Sequence, residues 1–193
     1  SSRMKKAGVL ASPLPQPVCP YSGNVSALRI LCHERTGILK KIISEDKPVS
    51  MVYLSLGSNL GDRAKMLRQA IATLNNLSQL RVLRSSAIYE TEPWDLTSQP
   101  KFLNIVVEIE TALEPLELLN TVKTMELRLG RKVSRRWGPR CIDIDLVLWG
   151  AKVLHTSALT LPHERFRERA FVLTPFAELA PEAVDPETGL TVA

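Results

Sequence analysis

Asp143 and Asp145 stand two positions apart in the run Ile142-Asp143-Ile144-Asp145-Leu146-Val147-Leu148. The run is apolar and β-branched, which is strand composition. In a strand, residues i and i+2 share a face, so both carboxylates look out of one side of a sheet. Two anions that close repel each other, and burying them unpaired is costly or shifts their pKa values. A divalent cation relieves the repulsion. Hard oxygen donors in a pair suit Mg²⁺, which takes one or two carboxylates and fills its other positions with water and substrate phosphates. Arg131, Arg135, Arg136 and Arg140 lie just upstream, and guanidinium groups suit phosphate oxygens. Metal-binding acids beside an arginine-rich loop are the components of a phosphoryl-transfer site. The competing reading is a surface strand with alternating acids. The Ile, Leu and Val around the pair disfavour a fully solvated edge, and the rigid turn Trp137-Gly138-Pro139-Arg140 delivers an arginine directly to the acids.

Three further patterns could carry chemistry. The segment GSNLGDR (57–63) is Gly-rich but lacks the Gly-Lys-Ser/Thr of a P-loop and the three glycines of a dinucleotide fingerprint. It is either a structural turn or one where backbone approaches a ligand. His163 and Arg169 lie six residues apart among other basic residues. They could hold phosphate, or belong to a solvated helical turn. Phe102 and Phe171 fall on predicted strand ends, where they either pack in the core or enclose a flat heterocycle. Asn104 shares a face with Phe102 and offers an amide that can read a heterocycle's donors and acceptors.

The elements that must position these residues follow a clear order. Strands are predicted over 52–56, 80–89, 102–111 and 142–149, with a short one near 152–154. Helices are predicted over 64–77, with Asp62 as N-cap, and over 116–129, with Pro115 at its first position and Gly130 closing it. The loop 91–100 carries two prolines. The order β-α-β-β-α-β predicts an α+β, ferredoxin-like sandwich with an extra C-terminal strand and short helices. Loop 131–140 has four arginines and few apolar anchors, so it is expected to open without ligand and close over it.

Composition narrows the class. With 193 residues, 45% hydrophobic and 23% charged, the chain reads as a globular protein with enough length for a real core. No apolar run approaches the length of a membrane span. The three cysteines, Cys19, Cys32 and Cys141, have no metal-site spacing and argue for a reducing compartment. Cytoplasm is expected, or an organelle if the basic, Ser-containing start is a transit peptide. The net charge of +5 sits in residues 1–50, where Arg3, Lys5, Lys6, Arg29, Arg35, Lys40, Lys41 and Lys47 face only Glu34, Glu45 and Asp46. The remainder is formally neutral, so no nucleic-acid surface is expected. Residues 1–50 are expected to be an N-terminal extension of unknown role, mobile over the Pro-rich residues 1–26. Residues 51–193 are expected to form the working domain.

Six motifs, in order, resemble the 6-hydroxymethyl-7,8-dihydropterin pyrophosphokinases of folate biosynthesis. They are YLSLGSNLGDR (53–63), SSAIYETEPW (85–94), QPKFLNIVVEIET (99–111), ELRLGR (126–131), RWGPRCIDIDLVLWG (136–150) and LPHERFRERAFVLTPFAELAP (161–181). The resemblance implies that the two terminal phosphates of ATP move as pyrophosphate to the hydroxymethyl oxygen of the pterin, releasing AMP (EC 2.7.6.3). It implies two Mg²⁺ ions on Asp143 and Asp145, with Arg131 and Arg140 as catalytic phosphate grips. ATP would meet Glu126, Arg131, Trp137, Arg140, Thr160, His163 and Arg169, with Trp137 on the loop that closes. The pterin would lie between Phe102 and Phe171, against Gly57, Thr91, Pro93, Asn104 and Asp143. The family's partners are small molecules, which implies neither nucleic acid nor membrane, and a monomer or weak dimer. The chain departs from familiar members in three places: a loop one residue shorter between Arg131 and Trp137, Glu164 after the histidine, and Ala158 where others carry arginine. It also stops soon after DPETG, consistent with a piece of a bifunctional folate protein. A ferredoxin-like module binding RNA or an effector, and a metal-dependent nuclease, are the competing classes. The neutral, aromatic-poor body and the lack of further acids tell against both.

Overall fold

Apolar and polar side chains alternate through residues 102–111, and that stretch forms the strand on which the sheet is built. The structure is a computed structural model that describes residues 5–6, 49–93, 98–132 and 138–193. Its strands are β1 (Lys5–Lys6), β2 (Ser50–Ser58), β3 (Leu80–Ser85), β4 (Tyr89–Thr91), β5 (Phe102–Thr111), β6 (Asp143–Trp149), β7 (Leu154–His155) and β8 (Thr160–Leu161). Its α-helices are α1 (Arg63–Asn75), α2 (Pro115–Arg128) and α3 (Ala170–Leu179). The main sheet runs β1-β4-β5-β2-β6, with β3 also paired to β5. Its pairings are all antiparallel. A helix crosses from β2 to β3 and another from β5 to β6, which is the split βαβ arrangement expected from element order.

Helix ends follow local chemistry. Asp62 accepts a bond from the Lys65 N–H at 2.9 Å and caps α1. The Glu114 N–H donates to the Glu117 carboxylate at 2.9 Å, part of a capping box at the start of α2 with Pro115 in the first turn. Gly130 follows α2 with φ 95°, a conformation suited to glycine.

Alternation then sorts the sheet's two faces. Val52, Leu54, Leu56, Ile105, Val107, Ile109 and Ile144 join Leu67, Ala70, Ile71 and Leu74 of α1 and Leu118, Val122 and Met125 of α2 in one core. Val106, Val147 and Leu148 pack on the other side against Phe166 and, from α3, Val172, Phe176 and Leu179. Helix α3 covers only a portion of that second face. The remainder, towards the carboxyl end of β2 and the amino ends of β5 and β6, is left to a cleft. In β6 the ladder slips between Leu146 and Leu148, leaving Val147 as an extra, bulged residue.

The structure corrects three expectations. The strand predicted over 80–89 is two pieces, because Ser86 interrupts it: the Ser86 hydroxyl accepts the Val106 N–H at 3.1 Å and donates to the Ala87 carbonyl at 2.8 Å. Phe171 sits in the first turn of α3, not on a strand end. The short strand predicted near 152–154 is Leu154–His155, paired to Thr160–Leu161. Residues 5 and 6 pair with β4, which the sequence did not foretell. The rest of the expected mobile extension and the segment 27–44 lie outside the described residues. So do Trp137, Arg135 and Arg136, at the centre of the loop expected to close.

Candidate active site

The alternation that sends Leu56, Ile105 and Ile144 to the helices sends their neighbours to the opposite face. Gly57 pairs with Asn104 on one side and with Asp143 on the other, and Ser55 pairs with Asp145. Acids, glycine and amide therefore form a row across three strands. They floor a cavity of about 380 Å³. Its wall contains Thr91 from β4 and Phe102 from β5, Arg131 and Arg140 from the loop before β6, and His163, Arg169 and Phe171 from the segment entering α3.

At the acidic end, Asp143 is tightly met. The Arg131 guanidinium donates to its Oδ1 at 2.5 Å and that of Arg140 to its Oδ2 at 2.7 Å. Asp145 lies 3.7 Å from the ammonium of Lys123 and 3.7 Å from the Arg169 guanidinium. The repulsion inferred from the sequence is thus relieved here by bases. The donor set still fits Mg²⁺: two carboxylates, one strand, both on the cavity wall, with the other coordination positions left to water and phosphate. Among the described residues no group of three or more His, Cys, Asp or Glu side chains forms a protein-only cage.

Glu126 stands behind this end rather than in it. It is 2% exposed, and burial pushes its pKa up against the opposing pull of Lys123. Its carboxylate takes bonds from Lys123 (2.9 Å), from the Ile144 N–H (2.6 Å) and from Arg131. Burial disfavours charge on Arg131, but Asp143 and Glu126 outweigh it and raise its pKa. Thr160 is in β8 and Pro93 is buried; neither lines the cavity wall.

His163 is placed by backbone. Its N–H donates to the Val147 carbonyl at 2.9 Å. Its Nδ1 accepts the Arg165 N–H at 3.1 Å, and its Nε2 lies 3.4 Å from Arg169. Burial lowers its pKa, partly offset by Asp145 and reinforced by Arg169. Arg169 also lies over the Phe171 ring at 5.8 Å.

The other end is lined by Gly57, Thr91, Phe102 and Asn104, which carry no charge. Asn104 is buried and its amide donates to the Thr91 hydroxyl at 2.8 Å. A Cβ on Gly57 would sit 3.0 Å from the Asn104 Oδ1 and 3.8 Å from the Phe102 ring, so glycine here admits the amide by close approach. The GSNLGDR turn proves to be a clasp. Asn59 is buried; its amide oxygen accepts the Arg140 N–H at 2.8 Å, and its amide nitrogen donates to Gln99 at 3.1 Å and to the Pro100 carbonyl at 3.2 Å. Its own N–H donates to the Arg140 carbonyl at 3.1 Å. One side chain thus fastens the arginine loop to the loop before Phe102.

Sequence reasoning missed Asn59, Lys123, Ser55, Glu92, Gln99, Glu164 and Arg165 at or behind the cavity. Asn59 was visible only as a turn residue and Lys123 only as a polar helical position. Ser55 could have been found, because it shares the face of Gly57.

A strand-borne acid pair with paired arginines opens into a slot of Phe, Asn and Gly. The profile of the family described as 7,8-dihydro-6-hydroxymethylpterin-pyrophosphokinase matches residues 53–181, more than half of the chain. The chain belongs to that family. A Bacillus subtilis 2-amino-4-hydroxy-6-hydroxymethyldihydropteridine pyrophosphokinase is 44% identical over 143 residues, covering 72% of this chain and 86% of that one. The folic acid synthesis protein fol1 of Schizosaccharomyces pombe is 40% identical over 167 residues, covering 86% of this chain and 23% of its own. Among solved structures, a Plasmodium falciparum HPPK-DHPS with pterin and p-hydroxybenzoate matches 80% of this chain and 44% of its own, with TM-score 0.62 and 15% identity, a likeness of fold. The chain thus spans most of the Bacillus subtilis relative and under half of the Schizosaccharomyces pombe and Plasmodium falciparum chains. The family's reaction is pyrophosphoryl transfer from ATP to the hydroxymethyldihydropterin in folate biosynthesis.

Proposed function

We propose that this cavity performs that transfer with the pterin at the Phe102–Asn104 end and the triphosphate at the acidic end. The observation that carries the reading is Asp143. Its carboxylate is bonded to Arg131 and Arg140, and on the sheet it sits across Gly57 from Asn104. The two ends of the cavity therefore meet where the hydroxyl must meet the β-phosphorus.

Each residue has a role in this reading. Asp143 and Asp145 would hold Mg²⁺, and the chemistry it would supply there is neutralisation of phosphate charge and orientation for in-line attack. Arg131 and Arg140 pass from Asp143 to phosphate oxygens, to which they bring fixed, paired donors. Glu126 keeps Arg131 in place from behind. His163 and Arg169 bind the triphosphate, Trp137 and Thr160 the nucleotide. Phe102 and Phe171 enclose the ring, while Asn104, Thr91, Pro93 and the Gly57 backbone meet its edge. Rate then comes from positioning and preorganised charge. Residues 51–193 make up the catalytic domain, and 1–50 an N-terminal extension of unknown role. A monomer or weak dimer in the cytoplasm, or an organelle, suits the chain, and so does membership of a bifunctional folate protein. Among the described residues no helix is long and apolar enough to cross a membrane.

The test is direct. Protein incubated with ATP, Mg²⁺ and 6-hydroxymethyl-7,8-dihydropterin is expected to give AMP and the pterin diphosphate in equal amounts. ADP or free phosphate in place of AMP would overturn the assignment.

A further inference from the structure

Lys123 belongs to no role assigned so far, yet its ammonium lies at the centre of the acidic end. It sits on α2 one turn before Glu126. It donates to the Glu126 Oε1 at 2.9 Å and to the Ile144 carbonyl at 2.8 Å. The same nitrogen is 3.7 Å from the Asp145 Oδ1 and 4.0 Å from the Asp143 Oδ1. An ammonium has three N–H donors. Two are spent on inward anchors, so the third is left towards the aspartates. The side chain is 40% exposed and lines the cavity, so this charge faces the space a substrate would occupy.

The arginines around it are differently committed. Arg131 and Arg140 are locked onto Asp143, whereas Asp145 meets its cations at 3.7 Å. A lysine is a compact point charge rather than a planar fork. It can turn one N–H from one oxygen to another while two anchors hold its nitrogen in place. Any divalent cation binding Asp143 and Asp145 must compete with this charge, and once it has taken the carboxylates the third N–H of the lysine, the one its two anchors do not use, is left to find another acceptor. On the cavity side, the anionic oxygen that would come within its reach is that of the phosphate chain.

We propose that Lys123 is an exchangeable counter-ion of the site: it neutralises the aspartate pair in the empty cleft and turns to a phosphate oxygen of ATP when metal and nucleotide enter. The inference rests on the triphosphate reading of the acidic end given above. It makes metal and nucleotide binding mutually dependent through one side chain. Lys123 raises the cost of binding metal alone and lowers that of binding metal with ATP.

The experiment measures Mn²⁺ binding, by electron paramagnetic resonance, to the full chain and to Lys123→Gln and Lys123→Arg. Each is measured alone and with α,β-methylene-ATP, whose bridging carbon replaces the oxygen of the bond that breaks. Lys123→Gln is expected to bind Mn²⁺ alone about tenfold more tightly and the metal–nucleotide pair about tenfold more weakly. Its KM for ATP rises more than its kcat falls, and Lys123→Arg, keeping the charge, restores the pair. A folded Lys123→Gln with both affinities within twofold of the unmodified chain would overturn the proposal and leave Lys123 as a structural tie for Glu126. Failure of the unmodified chain itself to bind the metal–nucleotide pair would overturn the triphosphate reading, and this inference with it.

Discussion

Leu54, Leu56, Ile105 and Ile144 face α1 and α2; Ser55, Gly57, Asn104, Asp143 and Asp145 face the cleft. The two sets alternate on the same three strands. The helix face is close-packed and its residues are almost wholly removed from water. The cleft face is built from small, amide and acidic groups whose partners are other side chains. The contrast separates what holds the sheet together from what acts. A change on one face is felt as stability, and a change one position away is felt as chemistry.

The largest effect expected from breaking this division is on the cleft side. Asp143→Asn or Asp145→Asn should lower AMP formation by about 10²–10³-fold, the scale for losing a preorganised electrostatic group. Thermal melting should show the folded state kept, because the bases around each acid still have water and one another's acids to meet. The mirror experiment is Ile144→Ala. Residue 144 is fully buried, so its truncation should cost about 2–5 kcal/mol in urea unfolding, while kcat of the folded fraction stays within a few-fold. If Ile144→Ala instead abolished turnover with stability intact, the two faces would not be separable.

Gly57→Ala is a finer probe. The new Cβ would crowd the Asn104 amide at 3.0 Å, and the pterin KM should rise roughly tenfold with the ATP KM little changed. An equal rise in both would show that the two ends of the cleft are not distinct. The smallest effect concerns pH. Burial lowers the His163 pKa in the fold, so the unfolded chain binds a proton more readily. Stability is then full above the unfolded value near 6.5 and declines as pH falls from there towards the folded value. Urea midpoints between pH 7.5 and 5.5 should fall less steeply for His163→Gln. An unchanged slope would remove His163 from that account.

Much of this was legible because alternation and caps are local. Strand β5 has the bounds its pattern predicted, Pro115 and Gly130 mark helix ends by their own backbone preferences, and Asp62 marks one by its side-chain oxygen. Counting in twos puts Asp143 with Asp145 on one face of their strand and Asn104 with Phe102 on one face of theirs; that the two faces are the same side of the sheet comes from the pairing of both strands with β2. What stayed hidden depends on partners far along the chain. Ser86 breaks a strand because its hydroxyl replaces a ladder bond to Val106, and periodicity carries no trace of that. Phe171 looked like a strand end because α3 is apolar and holds Pro175, which masks a helical period. Lys123 had no mark in the sequence beyond its charge, since its importance comes from β6 passing beneath it. Asn59 looked like ordinary turn chemistry until two other loops were seen to converge on it.

Val147, the surplus residue in β6, has an effect beyond its own strand. By falling out of step with β2 it leaves a carbonyl free of the ladder, and that oxygen is the one that receives the His163 N–H. The histidine's address is therefore written as a count, the number of residues between the acids and the slip, and not as any side chain. Deleting one residue there would leave Asp143 and Asp145 where they are and move the landing point of the whole 163–169 segment, so that a chain with every catalytic group intact could still fail to assemble them.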